Sequence, residues 1–146
     1  MSEIEIKLAA GTDVGLVRKN NEDNFVVNRD LSQSEWIIPQ SSETIPLGKY
    51  GTLLVVADGM GGTNAGEVAS AIAIETVQNA FTPEKLDKIV TFEGEMATEE
   101  AIEEFLTKTI KAADLNIVNA SKEDSSTQGM GTTIVIAWIL NEKAYI

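Results

Sequence analysis

The 146 residues include no cysteine and no histidine. The first absence excludes disulfide frameworks, zinc–thiolate sites and cysteine nucleophiles. The second excludes serine–histidine–acid triads, imidazole-bound metals and histidine acid–base relays within this chain. Any metal held here must sit on oxygen, which favours hard ions such as magnesium, manganese or calcium. Positive charge is scarce as well: 11 Lys and Arg stand against 23 Asp and Glu, a formal net charge of -12. Nucleic acid and anionic membranes both need a positive footprint, so neither is an expected partner. No apolar run approaches the roughly 18 residues of a membrane helix. The opening "MSEIEIKLAA" lacks a basic start followed by an apolar stretch, so no signal peptide is expected and a cytoplasmic location is.

What remains is an ordinary globular composition, 43% hydrophobic and 23% charged, which suits one domain with a real core. "EIEIKLAAG" alternates, with Ile4, Ile6 and Leu8 on one face, and predicts an opening strand. "GLVRKNNEDNFVVN" reads as a charged loop followed by a short strand at Phe25–Val27. Residues 28–50 predict a surface loop or hairpin insertion, with Trp36–Ile38 as a brief edge strand. "GTLLVVA" is a continuous apolar run of strand length, expected to be buried on both faces.

A helix is predicted at about 64–81, with Asn64 and Glu67 in capping-box relation and Pro83 beyond its end. Residues 83–97 read as a polar connection with a helical turn near Glu84–Ile89. A second helix is expected from the cap at Thr98, with Ile102, Phe105, Leu106, Ile110, Ala113 and Ile117 as its stripe. "KEDSSTQGMG" reads as a loop, "TTIVIAWIL" as a second buried strand and "KAYI" as the start of another. Strands, two helices, then strands make an α+β pattern with helices on a largely antiparallel sheet. The sequence stops inside an apolar strand at Tyr145–Ile146. A piece of a longer protein is therefore expected, with association through an open sheet edge.

The stretch "LLVVADGMGGTNAGEVAS" runs from an apolar strand to Asp58, then to Gly59, Gly61 and Gly62, then to a helix start. It is not a dinucleotide fingerprint, because the third glycine position is Asn64. It is not a P-loop, because no G-K-[ST] follows. A calcium hand needs more oxygen ligands than Asp58 and Asn64 supply. Taken alone, "DG" fits a plain strand–turn–helix connection. A second acidic site lies in "VRKNNEDNF", where Glu22 and Asp23 are adjacent and Arg18 is near. Taken alone, it fits a solvated charged loop. Together, Glu22, Asp23 and Asp58 could converge on one metal, with the Gly59 carbonyl as a further hard ligand and Arg18 as a phosphate fork.

"GLVRKNNEDNF", "VVADGMGGTNAGEVAS" and "GMGTTIVIAWI" resemble, in order, three signature blocks of the metal-dependent serine/threonine protein phosphatases, the protein phosphatase 2C family, in their bacterial style. The resemblance implies an αββα fold: a two-sheet antiparallel β-sandwich flanked by helices, incomplete at its C-terminus. Residues 1–146 would be the N-terminal portion of a single catalytic domain. It implies that Asp58 bridges two manganese or magnesium ions, that Glu22 and the Gly59 carbonyl bind one of them, that Asp23 orients water, and that Arg18 holds the substrate phosphate. Thr132 and Thr133 would be structural. Relatives often read "DGMGGH", whereas Thr63 follows the glycines here. The family's later "NVGDSR" strand and further metal-binding aspartates do not occur in these residues. The implied partners are phosphorylated proteins and a cognate serine/threonine kinase. Two other readings stand beside this one: a non-catalytic phosphatase-like binding module, and a structural domain with incidental acidic loops.

Overall fold

The computed structural model describes residues 3–61, 65–92 and 95–146. Its centre is a four-stranded antiparallel sheet in the order β2–β4–β7–β8, built from Asp23–Asn28, Thr52–Met60, Gly131–Leu140 and Lys143–Tyr145. A two-stranded sheet pairs β1 (Glu5–Leu8) with β3 (Glu43–Pro46). A small hairpin joins β5 (Thr91–Phe92) to β6 (Glu95–Met96). The helices are α1 (Ala65–Ala80), α2 (Pro83–Val90) and α3 (Glu99–Glu123).

One face of the central sheet carries Val26, Leu53, Val55, Ala57, Ile136, Trp138 and Leu140, all buried. Helix α1 lies on this face and α3 packs against α1. The buried side of α1 is made of Ala65, Gly66, Ala69, Ser70 and Ala73, then Ile74 and Val77. Small residues in its first turns let the helix backbone come close to the sheet. At the far end of the helix the core is aromatic: the Phe81 ring stands 5.0 Å from Phe105 and 5.1 Å from Trp138, both edge-on. The Trp138 indole Nε1–H donates to the Tyr50 carbonyl at 2.8 Å, so its one polar atom is satisfied inside the core. Helix α3 starts as its sequence implies, with the Thr98 hydroxyl accepting from the Ala101 N–H at 3.2 Å.

On the opposite face, Leu8 and Ile45 of the small sheet pack with Val27, against Ile6, Ile37 and Leu54. Among the described residues the layers are therefore helices, a four-stranded sheet and a two-stranded sheet. Beyond that contact the second face is open: Val56 and Val135, direct partners across β4 and β7, are 53% and 56% exposed. The apolar runs at 51–57 and 132–140 are thus buried on one face over this part, not on both. A run without polar interruptions carries no periodicity from which a free face can be read.

Other differences are local. β2 begins at Asp23, two residues before the expected strand. Residues 28–50 contain β3, while Trp36–Ile38 contributes only the isolated bridge Val27–Ile37. The polar connection at 83–97 holds a complete two-turn helix with Leu86 and Val90 buried, then the small hairpin. Ile110 is 42% exposed, and Thr109 takes the buried position on α3, its hydroxyl donating to the Phe105 carbonyl at 2.9 Å. Asn64 and Thr63 lie outside the described residues. No helix among the described residues is long and apolar enough to cross a membrane.

Candidate active site

The register of β2 against β4 decides what meets at the end of the sheet. Asp23, the first residue of β2, is the direct partner of Asp58, and Asp58 is in turn the partner of Thr133 on β7. The three form one cross-strand row, so carboxylates 35 positions apart in sequence become neighbours. Asp58 and Gly59 do not sit in a turn after the strand: β4 runs through them to Met60. Asp23 lies at the surface, yet partial loss of water around its carboxyl raises its pKa, and the facing Asp58, a hydrogen bond with it, and Glu22 raise it further. Like-charged groups opposed across a ladder destabilise unless a proton or a cation intervenes.

The row borders a cleft of about 140 Å3. Four carboxylates line it, from Asp13, Glu22, Asp23 and Asp58, against the single guanidinium of Arg18. Asn20, Asn21 and Gly59 complete the wall together with Val14. The loop from 11 to 21 is shaped by its own side chains. The Gly15 N–H donates to Asp13 Oδ1 at 2.7 Å, Asn21 Nδ2 donates to Thr12 Oγ1 at 2.7 Å, and the Asp23 N–H donates to Asn21 Oδ1 at 3.1 Å. A larger hollow of about 440 Å3 lies between α3 and β7, lined mainly by Leu106, Ile110, Ile134 and Ile136. It is apolar and offers no converging charged groups beyond Glu103, so the acidic cleft is the place for polar chemistry.

The glycines on the helix side serve close approach. A Cβ on Gly59 would stand 2.1 Å from the Gly66 carbonyl oxygen and 2.7 Å from that of Glu22. A Cβ on Gly66 would stand 2.8 Å from the Gly59 carbonyl carbon and 2.9 Å from the Glu22 carboxyl carbon. Only bare backbone fits where α1 is pressed onto β4 beside Glu22. All residues singled out from sequence — Arg18, Glu22, Asp23, Asp58 and Gly59 — line the one cleft. Asp13 and Asn21 were missed, although short polar residues near Gly15 are an Asx-turn signal. Thr133 is placed beside Asp58 by the register alone.

The acidic side chains of Asp13, Glu22, Asp23 and Asp58 offer carboxylate oxygens, the donors that hard divalent cations require. Asp23 and Asp58 are opposed, and a cation would relieve their repulsion. Among the described residues, however, no three acidic side chains are gathered tightly enough to form a ready-made cluster for an ion. The residues present fit part of a cation site.

The fold is shared with bacterial serine phosphatases of known structure. The chain belongs to the protein phosphatase 2C family, whose model matches residues 46–146. It is 33% identical over 135 residues to the serine/threonine phosphatase stp of Listeria monocytogenes serotype 4b (strain F2365) and 28% identical to the protein phosphatase PhpP of Streptococcus pneumoniae. Those alignments cover 92% and 91% of this chain but 43% of each relative, so the chain spans less than half the length of these relatives. A crystal structure of a point mutant of a bacterial serine phosphatase superposes with a TM-score of 0.63 at 25% identity, covering 97% of this chain and 50% of that one. The serine/threonine phosphatase Stp1 of Staphylococcus aureus gives 0.59 at 25% identity, covering 97% and 44%. The family is one of metal-dependent phosphatases.

Proposed function

We propose that this chain is the N-terminal portion of a catalytic domain that hydrolyses phosphoserine and phosphothreonine in proteins. The observation that carries the reading is the Asp23–Asp58 pair, opposed across the β2–β4 ladder in a cleft that also holds Glu22 and Arg18. Asp58, Glu22 and the main chain of Gly59 would hold divalent cations, manganese or magnesium. When bound, such ions supply Lewis-acid chemistry, lowering the pKa of water and neutralising charge on phosphoryl oxygens. Arg18 would take the phosphoryl group in a charge-assisted fork. Asp23 would accept a hydrogen bond from the attacking water and orient it. No nucleophilic side chain is required, which suits a chain without cysteine or histidine.

The partners would be phosphorylated proteins and a cognate serine/threonine kinase, in the cytoplasm. β8 pairs only with Trp138–Leu140, so the outer edge of β7 from Gly131 to Ala137 has no strand partner among the described residues. Self-association through that edge is part of the proposal. The test is phosphate release from phosphoserine and phosphothreonine peptides, with manganese, by the natural gene product carrying these residues. Asp58→Asn is expected to cut kcat at least 100-fold, and turnover that survives it rejects the proposal. Residues 1–146 alone should turn over an aryl phosphate far more slowly than that product. A second reading, a non-catalytic phosphatase-like binding module, is favoured by the presence of Arg18 in the cleft, where a guanidinium could take a phosphoryl group without cleaving it. That reading predicts phosphopeptide binding without manganese and no phosphate release even by the complete product.

A further inference from the structure

We propose that Ser70 is a positioning residue that fixes the main chain of Glu22 and so aims its carboxylate into the acidic cleft. The inference rests on the reading of that cleft as a cation site. Glu22 directly precedes β2, and the pairing of β2 with β4 begins at Asp23, so the ladder does not hold it. Its carbonyl is instead the acceptor of the Ser70 hydroxyl at 2.8 Å, across 48 positions of sequence. Ser70 is fully buried on the sheet-facing side of α1. Its hydroxyl has a local alternative, the Glu67 carbonyl of its own helix at 3.1 Å. A serine inside a helix ordinarily bonds its own preceding turn; here the shorter bond reaches out of the helix to the strand.

The contact is one half of a grip. The same Glu22 carbonyl oxygen lies where a Cβ on Gly59 would approach to 2.7 Å, and the Glu22 carboxyl carbon lies where a Cβ on Gly66 would approach to 2.9 Å. Helix α1 therefore meets Glu22 at both ends, with a hydroxyl on the main chain and a bare glycine against the carboxylate. Releasing the carbonyl lets the peptide turn and carries the carboxylate with it. Ligand and catalytic groups need placement to within about half an ångström, supplied by the groups behind them.

The fold contains a matched control. Thr52 is equally buried, and its Oγ1 donates to the Arg29 carbonyl at 2.8 Å, just past the other end of β2. Thr52→Val and Ser70→Ala each remove one buried hydroxyl–carbonyl bond flanking the same strand. They differ in their distance from the cleft. Two readouts are compared in both variants: manganese binding, followed by water-proton relaxation, and hydrogen exchange of the Glu22 and Asp23 amides in the metal-free chain. Ser70→Ala is expected to weaken manganese binding at least fivefold and to speed exchange at both amides at least tenfold. Thr52→Val should lower the melting temperature comparably while leaving both readouts at wild-type values. Wild-type readouts in Ser70→Ala, or equal losses in Thr52→Val, overturn the proposal. Should Ser70→Ala not fold, Ser70→Cys keeps the volume with only a weak donor and is read in the same way. Equal manganese binding by wild type and Glu22→Gln overturns the cation reading and the aiming role built on it. The exchange comparison then still decides whether Ser70 fixes Glu22, so the two failures are told apart.

Discussion

Gly66→Ala sets two opposing effects against each other at the point where helix meets strand. In favour, alanine is the better helix former by at most about 1 kcal/mol, and less in a first turn. Against it, the new Cβ would sit 2.8 Å from the Gly59 carbonyl carbon, 2.8 Å from the Met60 nitrogen and 2.9 Å from the Glu22 carboxyl carbon. Two of these neighbours are main-chain atoms of β4, which cannot swing aside as a side-chain tip would. Overpacking of this kind costs about 1–3 kcal/mol, and an immovable neighbour argues for the upper part of that range. The clash therefore wins by about 2 kcal/mol. At this chain length that is a fall in Tm of about 4–8 °C. Urea denaturation with an unchanged m-value, alongside calorimetry, measures it. Gly131→Ala is the companion: its Cβ would meet only Met60 side-chain atoms at 3.6 and 3.8 Å, so that variant should be neutral or slightly stabilising. A Gly66→Ala protein as stable as wild type would refute the claim that α1 is seated on bare backbone.

The opposed carboxylates make a titration prediction. Asp58→Asn should bring the raised Asp23 pKa down towards its ordinary 3.8 without fully restoring it, because lost hydration is the larger cause; carboxyl-carbon NMR reads this directly. With the folded pKa above the unfolded one, the native chain binds more protons between the two values. Its stability therefore falls as pH rises through that window, and the penalty is complete above the folded pKa. Asp58→Asn should flatten this part of the stability curve and, without metal, leave the neutral-pH protein at least as stable as wild type. In the core, Phe81→Ala removes a side chain that is 1% exposed and touches both Phe105 and Trp138. It should cost about 3–5 kcal/mol by urea denaturation, and a loss under 1 kcal/mol would contradict the packing described.

Elements with a pattern of their own were legible from sequence, the short strands β1 and β8 among them, and partner-dependent ones were not. Helix α3 carries its own start signal in Thr98 and its own stripe, so only its free positions were misjudged, Ile110 among them. Strand β3 has four residues ending at Pro46 and exists because β1 lies beside it; nothing local marks it. Helix α2 was legible as a helical turn near Glu84–Ile89; the proline at its first position and apolar Leu86 and Val90 one turn apart account for its extension to Pro83–Val90. For the site, the types of residue could be read: adjacent acids, a guanidinium, and an aspartate followed by glycines. Their meeting could not be derived from spacing, since it depends on Asp23 falling opposite Asp58, and a slip of one position turns a side chain to the other face. The grip of Ser70 on Glu22 was hidden for the same reason, as it joins a helix face to a strand start 48 positions away.

The proposed cation site depends on carboxylates distant in sequence meeting at one end of the sheet. Calorimetric titration of residues 1–146 with manganese, beside the Glu22→Gln and Asp58→Asn variants, tests it most directly. Saturable binding is expected of wild type, weakening at least tenfold in each variant while the fold is retained. Binding that is absent in wild type, or unchanged when Asp58 loses its charge, would contradict that proposal.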